Sequence, residues 1–265
     1  MISELLTYLM TPCPNYVRSM GYLYQAIALR GRYRRRRESW QRHLENTQQF
    51  IGMTAEKCRN RRRVVVIGSG ILLDVPLDRL SEIFGEVVLA DIVHLPEVRR
   101  RAGRYPNVRL VQCDVTGLAE ALFSNVLSRV TEFPVSKPFL PDVDQDTGLV
   151  VSVNILSQLA EIPLEYASKK MSGLDEAGVN KWCDQIRAAH YRALKELPCD
   201  VCLVADYAFA RRDRDRRVVE EGSTVGELML PEPDESWTWE IAPLGEESRD
   251  TSKELRVGAW RMSNR

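Results

Sequence analysis

Four stretches of the chain carry residue types that could do chemistry. "VVVIGSG" ends in Gly68-Ser69-Gly70, "GEVVLADI" ends in Asp91 and Ile92, "PNVRLVQCDVTG" contains Asp114 and Val115, and "GLVVSVNILSQL" passes through Asn154. Glycine takes turn dihedrals that a Cβ forbids and lets a ligand approach the main chain closely. A carboxylate 21 residues after Gly70 can accept hydrogen bonds from the paired hydroxyls of a ribose. A second one, 23 residues further on, can accept from an exocyclic amine such as that of adenine. A lone GxG is weak evidence. GxG followed by two acidic groups at matching places is better, although aspartate at such places also caps the next helix.

The elements that must position these residues follow from the pattern. "VVVI" is a continuous β-branched run, as in a strand buried on both faces. Further strands are expected over the other three stretches and over "CDVCLVADYAF", each separated from the next by a helical pattern, with Asp206 and Tyr207 closing the fifth. This alternation implies a parallel sheet with right-handed crossovers. Ligands of such sheets bind beyond the carboxyl ends of the strands, where the strand order reverses. The tail breaks the alternation. "SWTWEIAPL" and "KELRVGAWRM" have no helix between them, so they read as an antiparallel hairpin at one sheet edge. Residues 1–60 read as helices, with Ser39 available to cap a second one, and "RRDRDRRVVEE" reads as a solvated, self-paired loop. The expected fold is α/β: a three-layer sandwich with a seven-stranded, mostly parallel sheet, a C-terminal antiparallel hairpin and N-terminal helices. Residues 1–60 form a basic helical cap and residues 61–265 the Rossmann-like domain.

Composition excludes more than it selects. The 265 residues are 44% apolar with zero formal net charge, enough for a sizeable core and against global disorder. Between Arg30 and Arg63 twelve Lys/Arg face three Glu, and six arginines fall in the eight positions from Arg30 to Arg37. Internal pairing with the acidic body is one reading of this run, and an anionic membrane surface is the second. Nucleic acid ranks last, because the remainder of the chain is negative and repels phosphates. Six cysteines form no zinc-type ladder with histidine, so no metal is expected. "MISELLTYLM" holds no Lys or Arg, unlike a secretory leader, and no run of ~20 apolar residues occurs. A cytoplasmic protein is expected, with peripheral membrane contact and homo-oligomerisation left open.

On the GxG turn, Asp91, Asp114 and the final hairpin, the chain resembles class I S-adenosylmethionine-dependent methyltransferases over roughly residues 60–262. The first motif is atypical. The resemblance would place an acidic residue at Val66 and a third glycine at Leu72. Asp74 either supplies the missing carboxylate or caps the following helix, and the cap is the expected role. The resemblance implies S-adenosylmethionine as cofactor, held by Gly68, Ser69, Gly70, Asp91, Ile92, Asp114, Val115 and Asn154. Asn154 and Tyr207 are the catalytic candidates, and the acceptor is a small or lipid-like molecule. Methyl transfer from a sulfonium rests mainly on positioning, and none of His43, His94 and His190 reads as a clear general base. Two alternatives stand beside this: a methyltransferase-like binding or regulatory module without catalysis, and an NAD-dependent Rossmann enzyme, against which the hairpin argues.

Overall fold

The structure is a computed structural model that describes residues 2–263, with side chains from residue 4. Three helices open the chain: α1 (Ile2–Met10), α2 (Asn15–Met20) and α3 (Tyr22–Lys57). Alternation follows through β1 (Arg63–Ile67), α4 (Leu77–Ile83), β2 (Glu86–Asp91), α5 (Pro96–Ala102), β3 (Val108–Gln112), α6 (Ala119–Leu127) and β4 (Thr147–Val153). The chain continues with α7 (Glu161–Lys170), α8 (Glu176–Lys195) and β5 (Asp200–Arg212), and ends in β6 (Val218–Ser223), β7 (Glu235–Ala242) and β8 (Ser252–Met262).

The sheet order is β3-β2-β1-β4-β5-β8-β7. The first five of these strands are mutually parallel, and β8 is antiparallel to both β5 and β7. The order reverses between β1 and β4, so the ligand crevice of such a sheet lies above that pair. The β7/β8 hairpin closes one side of the sheet as expected, with β8 inserted antiparallel between β5 and β7, and one further strand joins the expected seven. The extra one, β6, pairs with the far half of a 13-residue β5. Its alternating charges look like a loop in the sequence, but Arg211 stands directly opposite Glu220, with their charged groups 3.0 Å apart. Arg212 likewise reaches Glu254 at 2.8 Å. Cross-strand opposite charges thus support the outer half of β5 on both sides, against β6 and against β8.

Apolar residues alternate between the two faces of the central strands. Val64, Val66, Leu89, Val151 and Val204 join one core, under α3, α4 and α5. Val65, Ile67, Val88, Val150 and Leu203 join the other, against α6, α7 and α8. Val17, Leu23, Trp40, Phe50 and Ile51 of the N-terminal helices belong to the first core together with the strand residues. Tyr16, Tyr22 and Ile92 pack against both cores, so the N-terminal helices cross over the carboxyl ends of the strands, beside the end of β2. The α3 helix is one element of 36 residues with a kink at Arg36 (φ −121°, ψ 25°). Ser39 therefore does not cap a second helix; its hydroxyl donates to the Arg36 carbonyl at 3.1 Å. The kink falls where Arg35 and Arg36 both reach Glu246 at 2.7 Å. Beyond it, Trp40 Nε1 donates to the Ile241 carbonyl at 3.1 Å and fixes the helix on β7.

The arginine run is largely paired within the chain. Besides Arg35 and Arg36, Arg30 meets Glu97 at 2.9 Å and Arg32 meets Glu247 at 3.8 Å. Cys199 and Cys202 have the spacing of a CxxC pair, but they belong to cores on opposite sides of the sheet. Burial pushes their thiols up to about 11 and about 12, so both are inert fillers. No described helix is long and apolar enough to cross a membrane.

One consequence concerns acid. His190 of α8 is fully enclosed against Ser152 of β4, with its Nε2 3.1 Å from the hydroxyl, and burial lowers its pKa from 6.5 to about 4. The folded state thus binds fewer protons than the unfolded state over that window, and stability falls as pH falls through it. The loss is about 1.4 kcal/mol per pH unit for a fully depressed histidine. Urea melts at stepped pH should show this decline, and His190→Gln should flatten it. An unchanged slope would mean that this histidine is not buried as neutral.

Candidate active site

The glycine turn after β1 is built around strained backbone. Gly68 (φ 76°), Gly70 (φ 52°) and Leu72 (φ 62°) are left-handed, and so is Asn154 (φ 53°) just after β4. Left-handed backbone costs a residue with a Cβ ~1–2 kcal/mol. Leu72 thus adopts, at that cost, a conformation that suits glycine, while its side chain is buried in the core. The two glycines differ in what surrounds them. A Cβ on Gly68 would stand 2.2 Å from Ile155 Cγ2, whereas on Gly70 it would meet nothing nearer than the Gly68 carbonyl, at 3.9 Å. Gly68 lets the turn pack on the end of β4; Gly70 presents its backbone to open space.

Asp91 ties this turn to β2. The Gly70 N–H donates to Asp91 Oδ2 at 2.7 Å, and the Val93 N–H donates to Oδ1 at 3.3 Å. An ionised carboxylate offers about four acceptor positions, so Asp91 keeps capacity for a ligand. It is reached by solvent yet enclosed by protein, as expected of a group lining a cleft. Burial raises its pKa, and nearby His94 opposes the rise. His94 itself is held through Nε2, 3.1 Å from the Val111 carbonyl. Ile92 is half-buried beside Asp91, and Ser69 is fully buried with an unpartnered hydroxyl.

Asp114 is committed elsewhere. Its carboxylate accepts from the Thr116 N–H (2.9 Å) and hydroxyl (2.6 Å), and from the N–H groups of Leu118 (3.0 Å) and Ala119 (2.8 Å). Those four donors fill it, so the expected adenine contact is replaced by a cap on the start of α6. Val115 is buried, and its carbonyl accepts from the Phe139 N–H at 3.1 Å.

Asp74 reverses the same way. It caps nothing: Pro76 precedes α4, and no side chain caps that helix. Instead Asp74 Oδ2 lies 2.6 Å from Asn154 Nδ2. Asn154 Nδ2 is also 3.3 Å from His43 Nε2, and Trp237 Nε1 donates to His43 Nδ1 at 3.1 Å. His43 is buried and stacked on Trp239 at 3.8 Å between ring centres. Burial lowers its pKa to about 3, so it stays neutral at physiological pH. Burial raises Asp74 to about 6, opposed by the Asn154 hydrogen bond. Four residues from four places in the sequence thus form one line of contacts above β4. A hint of His43 lies in its place on α3, where Trp40, His43, Thr47 and Phe50 recur at helical spacing. Tyr207 does not join this line. Its ring packs edge-on to Trp260, 6.1 Å away, on the α8 side of the sheet.

A separate cavity of ≈ 530 Å³ lies on the outer flank of the turn. Ile71, Leu73, Tyr33, Arg34 and Arg100 line it, and neither Asp91 nor Asn154 opens into it.

These contacts separate the roles of similar residues. Gly68→Ala should prevent native packing. Gly70→Ala should fold with a loss of ~1–2 kcal/mol while obstructing any ligand on the turn. Asp114→Ala should cost ~0.5–2 kcal/mol as a lost cap and leave ligand affinity within a few-fold. Thermal melts and ligand titration of the three variants check this. A Gly68→Ala protein as stable as the parent would contradict the packing argument.

No family model matches the chain, and no curated protein is similar to it. Solved structures resemble it weakly. A SAM-dependent methyltransferase from Aquifex aeolicus aligns over 80% of this chain and 88% of its own, at 9% identity and a TM-score of 0.34. The DhpI complex with SAM and HEP aligns over 93% and 99%, at 14% identity and a TM-score of 0.37. The 1,6-didemethyltoxoflavin-N1-methyltransferase of Burkholderia thailandensis aligns over 89% and 87%, at 12% identity and a TM-score of 0.36. Identities and scores this low carry no argument about chemistry.

Proposed function

We propose that the carboxyl ends of β1, β2 and β4 hold S-adenosylmethionine and that the chain is a methyltransferase acting on a small or lipid-like acceptor. The observation that supports this most is the bond between Gly70 and Asp91 at the switch point of the sheet. The inserted antiparallel last strand, the topological mark of the class I family that the sequence resembles, lies in the same sheet between β5 and β7. The residues present fit such a ligand. Gly70 leaves open space where a Cβ would stand, Asp91 keeps acceptor capacity, and Ser69 Oγ and Asn154 Oδ1 are enclosed without partners.

In this reading Gly70 offers its open face to the ligand while the Gly68 and Ser69 N–H groups, bonded to the Ala90 carbonyl, hold the turn in place; Asp91 accepts from the ribose hydroxyls, and Ile92 and Val115 flank the base. When bound, the sulfonium supplies a methyl group on a good leaving group, so the chain mainly has to hold two partners in line. Asn154, braced by His43 and Asp74, orients the reacting end. The second reading, a binding module without catalysis, is favoured by one observation: His43, His94 and His190 are all buried and engaged, which leaves no histidine facing an acceptor as a base. Membrane contact would rest on Arg34 and Arg37 and on the exposed Leu5, Leu6, Leu9 and Met10 of α1, since the other arginines of the run are paired.

Calorimetry with S-adenosylhomocysteine tests the binding. The folded protein should bind it, and Asp91→Ala should weaken binding by about ten- to a hundredfold through lost charge-assisted hydrogen bonds. No heat at millimolar ligand would overturn the proposal. Binding without methyl transfer across a broad acceptor panel would favour the second reading.

A further inference from the structure

An indole N–H only donates, so its bond to His43 Nδ1 fixes the tautomer of that neutral ring: lone pair on Nδ1, proton on Nε2. Nε2–H then faces one end of the Asn154 amide at 3.3 Å, and the same end lies 2.6 Å from Asp74 Oδ2. If that end is the NH₂, it donates to an Asp74 carboxylate, His43 Nε2–H faces another donor, and Asn154 Oδ1 stays enclosed with no partner. If that end is the oxygen, it accepts from His43, and at 2.6 Å from Asp74 it must also accept a proton carried on Oδ2. The two arrangements differ by half a turn of one amide, a difference assigned from hydrogen bonds alone. The protonated arrangement makes one more hydrogen bond.

We propose that Asp74 senses ligand charge: in mildly acidic solution, with no cation beside it, it carries a proton and donates to Asn154, and a cationic ligand on the glycine turn expels that proton to solvent and turns the Asn154 amide. This rests on the reading of the cleft as a sulfonium site. Asp74 would then be a specificity-determining residue that separates the cationic sulfonium from its neutral thioether product. The titratable groups around it are few. Asp91, at the end of β2, raises it, and His43 of α3 stays neutral. Gln48 of α3 and Arg101 of α5 donate to the adjoining Leu73 and Leu72 carbonyls, at 2.6 and 3.0 Å. Burial and Asp91 together bring Asp74 to about 6, within reach of a cation's influence.

Proton counting tests this without reference to turnover. S-adenosylmethionine and S-adenosylhomocysteine are each titrated calorimetrically into the intact protein near pH 6, in two buffers of different ionisation enthalpy. The sulfonium should release about half a proton more than the thioether, because a group titrating near 6 is half protonated there. The excess should fade as pH rises above neutral. Asp74→Asn keeps a donor toward Asn154 and should still bind the thioether, with the excess abolished. If both ligands bind with equal proton counts in the unaltered protein, the proposal is overturned and the cofactor reading stands. If neither ligand binds, the cofactor reading fails and takes the proposal with it. An excess that persists in Asp74→Asn would assign the proton to another group and also overturn the proposal.

Discussion

The hydrogen bond from the Gly70 N–H to Asp91 holds the candidate site together. It joins the turn after β1 to the end of the neighbouring strand. The turn can reach Asp91 only by taking left-handed backbone at Gly68, Gly70 and Leu72, and such strain persists where its surroundings enforce it. Here the surroundings are close packing of Gly68 on Ile155 and complete burial of the Leu72 side chain. The cost of the turn is offset by core packing on either side of it. What remains exposed is one glycine face and part of one carboxylate.

A second constraint comes from above. The N-terminal helices cross the carboxyl ends of the strands on Tyr16 and Tyr22, and α3 then lies down on β7 through Trp40. This course delivers His43 to the end of β4. Trp237 and Trp239 enclose the ring there and keep it neutral, which makes it a rigid hydrogen-bonding strut rather than a base. The strut and Asp74 both meet Asn154 at the same end of its amide. Four arginines of the basic segment, for which internal pairing is the first reading of the sequence, hold the helix in place through Glu97, Glu246 and Glu247.

Much of the scaffold is legible in the sequence, for a physical reason. Strands buried on both faces must be continuous apolar runs, so β1, β2, β4 and β5 stand out, as do the polar residues that end them. Pairing across the sheet is not local, and so β6 is hidden: nothing near Arg211 or Glu220 announces that the two will face each other. The site divides the same way. Gly68, Gly70, Asp91 and Asn154 lie where the pattern puts them. Asp114 and Asp74 exchange roles, because the sequence shows an aspartate near a helix start but not which way its side chain turns. Asp114 finds free N–H groups of α6 within reach, whereas Pro76 separates Asp74 from α4 and leaves it to Asn154. His43 reads in the sequence as a solvated helix histidine, and its burial is hidden because its partners, Trp237 and Asn154, are more than a hundred residues away.

The most direct measurement is a crystal structure of the protein with S-adenosylhomocysteine. The account predicts the ligand across the Gly70 backbone with its ribose hydroxyls on Asp91, its sulfur end toward Asn154, and Asp114 still capping α6. A ligand seated instead in the outer cavity between Tyr33 and Arg100, with Asp91 untouched, would contradict it.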